Sequence, residues 1–405
     1  MVVTTFLRWS FGRGACARGW WLAASVYLVT VADLSPSQLV LLGTAQAVTV
    51  VVAEVPAGVL ADTVSRKWSV VLACAVSGAG MVATGLVTSF PALALTQAAW
   101  GLGWAFASGA DVAWLADELD RPDRIDRVLA ARARWELTGA ATGLVGFGAL
   151  AWATDLRTAI VTAGLGMAGL GLVAAAWLPE RHFVPAAAGR SWRHAASVLH
   201  GGVRLVARDR EVLLVIAAWL LANGSGEGYG RLVEKRLVAL DFGGTGTPVA
   251  WFAVLGLVTL VLSVLVLRVV EARIDGPGTA RRTYVGCCAA GVAGLALFAG
   301  APDARWAVAG TLLVSGSAHP GSVLRAVGEI WVNRRTTSEV RATVHSVLSQ
   351  AEHVGEIVFG VLLASLAAAT TATTSLLGAA VLLGAAGVSA ACAGRQFTWR
   401  AASPQ

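Results

Sequence analysis

Asp62 and Arg66 stand four residues apart in GVLADTVSRK, residues 58–67, a short charged stretch between two long apolar runs. At that spacing a carboxylate and a guanidinium share one face of a helix and can pair. Other charges interrupt apolar sequence in the same way. Glu227 sits in ANGSGEGYG (222–230), flanked by glycines that weaken a helix interior by about 1 kcal/mol each. That context suits a gate or a binding site, or a packing seam, since Gly224/Gly228 and Gly226/Gly230 have small-xxx-small spacing. Glu352 and Glu356 are one turn apart in QAEHVGE (350–356), with His353 between them. Like charges at that spacing repel, so one carboxyl is expected to hold a proton or to face an arginine. His319 precedes Pro320, and Arg325 and Glu329 form a further i, i+4 pair. This inventory suits ion pairing, ligand binding and proton exchange rather than bond making. No P-loop, zinc motif, dinucleotide fingerprint or Ser/His/Asp arrangement occurs, so no cofactor, no metal and no enzymatic activity are expected.

The elements that must position these residues follow from composition. The 405 residues are 56% hydrophobic and 14% charged, with mean hydropathy +0.69. A soluble domain is about a quarter charged. Apolar blocks near twenty residues recur throughout, each long enough at about 1.5 Å per residue to cross roughly 30 Å of hydrocarbon. The chain therefore reads as an all-α polytopic membrane protein with twelve transmembrane helices. The first six are expected at 12–32, 37–60, 68–87, 92–115, 128–153 and 158–178. The second six are expected at 212–232, 248–270, 283–301, 306–332, 340–368 and 374–394. An N-terminal six-helix bundle (1–178) and a C-terminal one (212–405) are then joined by a linker, 179–211. Within the linker, Trp192, Leu199, Val203 and Val206 recur at helical spacing opposite Arg and His, an amphipathic helix suited to a membrane surface.

Arginines fall on alternate loops. Arg66 and Lys67 follow the second span, Arg121, Arg124 and Arg127 the fourth, and Arg334 and Arg335 the tenth. The opposite loops at 88–91 and 367–374 carry none. Basic loops favour the cytoplasm, which places both termini there, in a bacterial inner membrane. The net charge of +7 then reflects topology and anionic lipid and requires no nucleic acid. Trp9, Trp68, Trp152, Trp177 and Trp306 lie near span ends, as interfacial belts require. No cleavable signal peptide is expected, because Arg13 and Arg18 interrupt the first apolar run. Five cysteines without ligand spacing read as small packing residues. A monomer is expected.

GVLADTVSRK resembles the signature between helices 2 and 3 of the major facilitator superfamily, G-x-L-A-D-R-x-G-R-K, matching at Gly58, Leu60, Ala61, Asp62, Arg66 and Lys67. Thr63 and Ser65 depart from it. ASGADVAWLADEL (107–119) and NRRTTSEVRATVHSVLSQ (333–350) also look like bacterial exporters of this superfamily. The resemblance implies two six-helix bundles around a central cavity, working by alternating access. It also implies a charge cluster of Asp62, Arg66 and Asp117, with Asp111 as the other candidate, that latches the outward-open state. Two antiporter signatures are incomplete. Gln97 stands where an arginine of helix 4 is usual, and GAATGLVGFG (139–148) has Leu144 and Phe147 at the proline and glycine of the helix 5 ending.

Within the membrane, Arg18 is expected to neutralise Glu54, Asp111 or Glu136, or to hold an anionic substrate. Tyr27, Gln97, Trp104, Asn223 and Trp251 are candidate cavity residues for a bulky, partly apolar ligand. Glu227, Glu352, Glu356, His353 and His319 are candidates for binding or proton carriage. The expected function is secondary active export of drug-like compounds or secreted metabolites, driven by protons. The alternatives are an importer of a small metabolite and a non-transporting membrane sensor or scaffold.

Overall fold

A computed structural model of the chain describes residues 2–119, 124–186, 210–243, 248–318, 323–333 and 338–393. All regular structure among them is helical. The helices are α1 (Val2–Thr30), α2 (Pro36–Thr63), α3 (Arg66–Leu86), α4 (Phe90–Ala107), α5 (Ala110–Glu118), α6 (Ile125–Ala153) and α7 (Leu156–Trp177). There follow α8 (Arg210–Ala239), α9 (Pro248–Glu271), α10 (Pro277–Ala299), α11 (Ala304–Ser317), α12 (Val323–Asn333), α13 (Ser338–Ala369) and α14 (Ala372–Cys392).

Local chemistry sets the helix starts. Ser65 caps α3 by accepting from the Trp68 N–H, Asp303 caps α11 through the Arg305 and Trp306 N–H groups, and Thr371 caps α14. Asp155 caps α7, where bonds from the Thr158 hydroxyl and N–H hold its carboxyl below the usual range. Prolines open α2, α9 and α10, where a missing N–H costs nothing.

Among the described residues, seven helices are long and apolar enough to cross a membrane: α2, α3, α7, α9, α10, α13 and α14. The most apolar window, in α9 with mean hydropathy 2.7, is only 17% buried. In water that exposure would be costly; in hydrocarbon it is the expected state. The chain is a multi-pass integral membrane protein.

Two expected spans are interrupted. The fourth breaks into α4 and α5, because Gly109 adopts φ +76°, the left-handed region where a side chain is strained. The tenth ends as α11 at Ser317 and resumes as α12 at Val323. The first begins earlier than expected: α1 already runs from Val2, which places Arg13 well inside the helix. The linker helix at 192–206 and the arginines at 334 and 335 lie outside the described residues.

Contacts divide the chain into two compact units. One comprises Met1–Leu34, Ala45–Ala195 and Gly243–Leu257; the other comprises Ser35–Thr44, Ala196–Phe242 and Val258–Gln405. Each repeats one packing plan. In the first unit α1 packs on α6 and α7, and α3 on α4 and α7. In the second, α8 packs on α13 and α14, and α10 on α11 and α14. Every partner is displaced by seven helices.

Glycine permits the closest of these approaches. A Cβ on Gly139 or Gly143 of α6 would overlap the carbonyl oxygens of Phe11 and Ala15 on α1, and one on Gly355 of α13 would overlap Leu220 O of α8. Gly143→Val is therefore expected to destabilise the first unit by at least about 3 kcal/mol, because backbone cannot yield as a side chain can. Monodispersity of the solubilised variant checks this; a wild-type elution profile and thermal midpoint would refute it.

Candidate functional site: two charge clusters and a cavity in the first unit

The α2–α3 junction carries the first cluster. Arg66, at the start of α3, reaches Asp62 Oδ1 at 3.2 Å, Asp117 Oδ2 at 2.5 Å and the Ala113 carbonyl at 3.2 Å. One guanidinium thus joins the end of α2 to α5. Asp117, rather than Asp111, is the acidic partner. The chain after α7 lies over this junction. Glu180 accepts from Ser65 Oγ (2.6 Å) and from the Lys67 N–H (2.9 Å). Glu118 Oε1 accepts the N–H groups of Arg181 and His182, and Trp114 Nε1 donates to Pro179 O. Arg66 also stands over the Phe183 ring at 5.8 Å. Gly58, two turns back on α2, has open space where its Cβ would be.

The second cluster joins residues that the sequence analysis leaves apart. The Gly109 break turns the chain so that α5 starts with Asp111 in its first turn, where the helix dipole favours a carboxylate. Asp111 Oδ2 takes Arg132 of α6 at 2.5 Å and lies 3.7 Å from Arg13 of α1. Glu136 Oε1 takes both Arg13 (2.9 Å) and Arg132 (3.1 Å). Two cations and two anions therefore form a closed, neutral quartet on α1, α5 and α6. Its members are unequally covered: side-chain exposure is 6% for Asp111, 13% for Arg132, 22% for Arg13 and 31% for Glu136. Arg13 rests over the Trp9 ring (5.3 Å) and Arg132 over Phe6 (5.5 Å), so the cations also meet aromatic faces. Asp111 and Glu136 thus take Arg13 and Arg132 as their bonded cations. Arg18 lies farther along α1, half-buried.

Arg13 and Glu136 form the polar wall of a cavity of about 420 Å³ within the first unit. The remaining wall is largely apolar, with Trp9, Trp100, Trp104, Leu137 and Met167. The volume falls in the range of small-molecule sites, roughly 300–1,000 Å³. Trp100 stacks on Trp20 at 4.8 Å between centroids, which fixes its plane. Trp9 is buried, and its indole N–H has no hydrogen-bond partner beyond the vicinity of the Cys74 thiol, a weak acceptor.

The described candidate charges of the second unit are paired with near neighbours. Glu227 bonds Arg231 at 2.8 Å along α8, with Gly43 packed against both side chains. Gly224 and Gly228 of the same helix pack on Phe359 and Leu363 of α13, a seam that Gly230, with open space where its Cβ would be, does not share. Arg325 of α12 bonds Glu329 (3.1 Å) and Glu352 of α13 (2.6 Å). Glu352 and Glu356 are thus not left facing each other: Glu356 bonds His353 Nδ1 at 2.9 Å. His319 lies outside the described residues.

The aromatic and amide candidates separate clearly. Trp104 lines the cavity. Tyr27 does not: it is fully buried and its hydroxyl donates to Val87 O at 3.0 Å, a structural bond. Gln97 is buried in α4, its Oε1 without a partner, and is not part of the cavity wall. Asn223 donates to Trp219 O and borders a space of only about 10 Å³, room for a single water. Trp251 is half-exposed and covers Gly243. Among the tryptophans expected at interfaces, Trp68, Trp152, Trp177 and Trp306 are exposed, whereas Trp9 is buried beside the quartet.

The family model described as Major Facilitator Superfamily matches residues 10–358. The chain belongs to the major facilitator superfamily. Solved transporters of that fold superpose over nearly its whole length. The nucleoside transporter NupG aligns with TM-score 0.75 at 14% identity, covering 96% of this chain and 97% of its own. A bacterial homologue of the human lysosomal transporter Spinster, in an inward-facing and occupied conformation, aligns with TM-score 0.74 at 13% identity, covering 99% and 98%. The peptide transporter POT in complex with sulfate aligns with TM-score 0.70 at 13% identity, covering 95% and 92%. No curated protein matches the sequence. At these identities the superfamily fold is shared and the substrate is open. The superfamily places the chain among transporters rather than enzymes.

Proposed function

We propose that the protein is a secondary active transporter that exports drug-like compounds or secreted metabolites by alternating access, driven by protons. The observation that carries this reading is the 420 Å³ cavity, whose walls are tryptophan and aliphatic side chains around one accessible ion pair, Arg13–Glu136. Concave, mostly apolar sites with a few convergent polar groups are where small molecules bind. The Asp62–Arg66–Asp117 cluster acts as the conformational latch, with Gly58 and Lys67 as the matched residues of its motif. That latch end is cytoplasmic, as are both termini, in a bacterial inner membrane. The basic loops support this orientation. Protons are carried in the second unit. Among the pairs found there, four carboxylates (Glu227, Glu329, Glu352 and Glu356) face two arginines and one histidine. The His353–Glu356 pair, bonded at 2.9 Å, is the candidate exchange site.

Expression in an efflux-deficient bacterium, with growth measured across antibiotics and dyes, tests the reading. Wild type is expected to protect against a subset of compounds. Ala140→Phe, which places a ring in the cavity, is expected to remove at least about nine-tenths of that protection at equal membrane abundance, the loss of roughly 1.4 kcal/mol of binding. Protection unchanged by Ala140→Phe would reject the cavity as the substrate site. Uptake of a tracer along an inward proton gradient would reverse the direction of transport.

A further inference from the structure

We infer that the first-unit cavity selects zwitterionic substrates: an aromatic or aliphatic body carrying both a cationic and an anionic group. This inference rests on the cavity being the substrate site. The charges in its wall belong to a quartet that sums to zero, and only Arg13 and Glu136 are reached from the cavity; Asp111 and Arg132 stand behind them, more deeply covered. A ligand therefore meets one cation and one anion side by side, 2.9 Å apart and bonded to each other.

Four kinds of ligand are possible at such a wall. A cation binds Glu136 in competition with Arg13 and leaves the buried cluster one charge positive. An anion binds Arg13 in competition with Glu136 and leaves it one charge negative. Either imposes an uncompensated charge on a low-dielectric site, which is costly. A neutral ligand gains no new ion pair in exchange for opening the existing one. A zwitterion exchanges one internal ion pair for two new ones, with its ammonium on Glu136 and its carboxylate on Arg13, and the sum stays zero.

Three details favour this exchange. Both bonds to Glu136 converge on Oε1, so no described residue bonds Oε2. Arg13 already has Asp111 Oδ2 at 3.7 Å as a second partner, so it keeps a counter-charge when Glu136 turns to a ligand. Trp9 lines the same wall with its ring, its N–H turned to the Cys74 thiol. Trp100 and Trp104 supply faces for a ring.

The test uses the full-length protein in lipid nanodiscs at neutral pH and four probes built on one ring system. These are naphthylalanine (zwitterion), naphthylethylamine (cation), naphthylpropionic acid (anion) and N-acetylnaphthylalanine amide (neutral). Dissociation constants are measured by calorimetry. Naphthylalanine is expected to bind at least about tenfold more tightly than each of the others, the worth of one added charge-assisted bond. Arg13→Gln is expected to erase its advantage over the cation, and Glu136→Gln its advantage over the anion. The double variant Arg13→Gln/Glu136→Gln keeps the quartet neutral, guards against misfolding of the single variants, and is expected to bind all four alike. A cation, anion or neutral probe equal to naphthylalanine on wild type overturns the inference. If cells are protected against other compounds through the same cavity, the export reading then stands without it. Naphthylalanine bound equally by wild type and Ala140→Phe overturns both the inference and the cavity assignment.

Discussion

Transport by Arg66→Gln is expected to fall at least about tenfold at equal membrane abundance, whichever compound is carried. Arg66 makes three bonds, to Asp62, Asp117 and the Ala113 carbonyl, and no other described cation bonds either carboxylate. Charge-assisted bonds contribute about 1.5–3 kcal/mol each when shielded. Side-chain exposures of 22% for Arg66, 25% for Asp117 and 48% for Asp62 reduce that, most of all for Asp62. A net bias near 1.4–2.8 kcal/mol on one conformation remains, and removing it shifts the equilibrium between access states by about ten- to a hundredfold. The fold itself tolerates the change better, because Glu180, Glu118 and Trp114 continue to hold the strap across the same junction. Arg66→Lys retains one strong pair and is expected to lie between the two. Initial efflux rates, together with cysteine labelling from either side of the membrane, decide the matter. Wild-type rates with wild-type labelling in Arg66→Gln would reduce the trio to a topology-setting loop.

What could be read in the chain depended on whether partners were local or distant. Asp62 and Arg66 were legible because a four-residue spacing specifies a shared helix face, and Arg325–Glu329 for the same reason. Asp117 became legible only through resemblance to a family, since nothing in spacing links it to Arg66. Arg13 read as an interruption in the first apolar run. By hydropathy that run begins at residue 12, whereas α1 starts at Val2, so Arg13 lies in mid-helix and must be paired. A signal was available: Arg132 and Glu136 are i, i+4 on α6, and an internal pair at that spacing marks a face that meets further charge. The helix break that aims Asp111 at this face also had a cue, since SGAD places glycine before an acid, a sequence suited to a left-handed turn and a helix start. The spacing of Glu352 and Glu356 leaves a held proton and a facing arginine both open, and only the position of Arg325 on α12 supplies the arginine for Glu352. Tyr27 failed for the opposite reason. Its ring was counted as a ligand surface, but a hydroxyl needs a partner when buried, and the Val87 carbonyl supplies one.

Asp111→Asn is expected to be the most destabilising single change among the charged positions. Asp111 is the least exposed member of the quartet, and both arginines draw on its Oδ2. With an amide there, Arg13 and Arg132 share the single carboxylate of Glu136, and the cluster is left one charge positive. Breaking a buried ion pair from one side costs about 3–5 kcal/mol. Exposures of 6% and 13% for Asp111 and Arg132 leave little solvent screening to reduce that figure. Arg132→Met alone leaves the opposite imbalance and is expected to cost a similar amount. The pair Asp111→Leu/Arg132→Met removes one charge of each sign and leaves Arg13 and Glu136 bonded one to one at 2.9 Å. Replacing a buried pair by apolar groups of similar volume is often neutral, so the double variant is expected to recover most of the loss, with a coupling of at least about 2 kcal/mol. Thermal midpoints of Asp111→Leu, Arg132→Met and their double variant, measured with Asp111→Asn in one detergent, provide the comparison. Additive losses would mean that the four side chains act as independent surface charges. In that case the cavity wall would no longer need to stay neutral, and the preference for zwitterions would lose its physical basis.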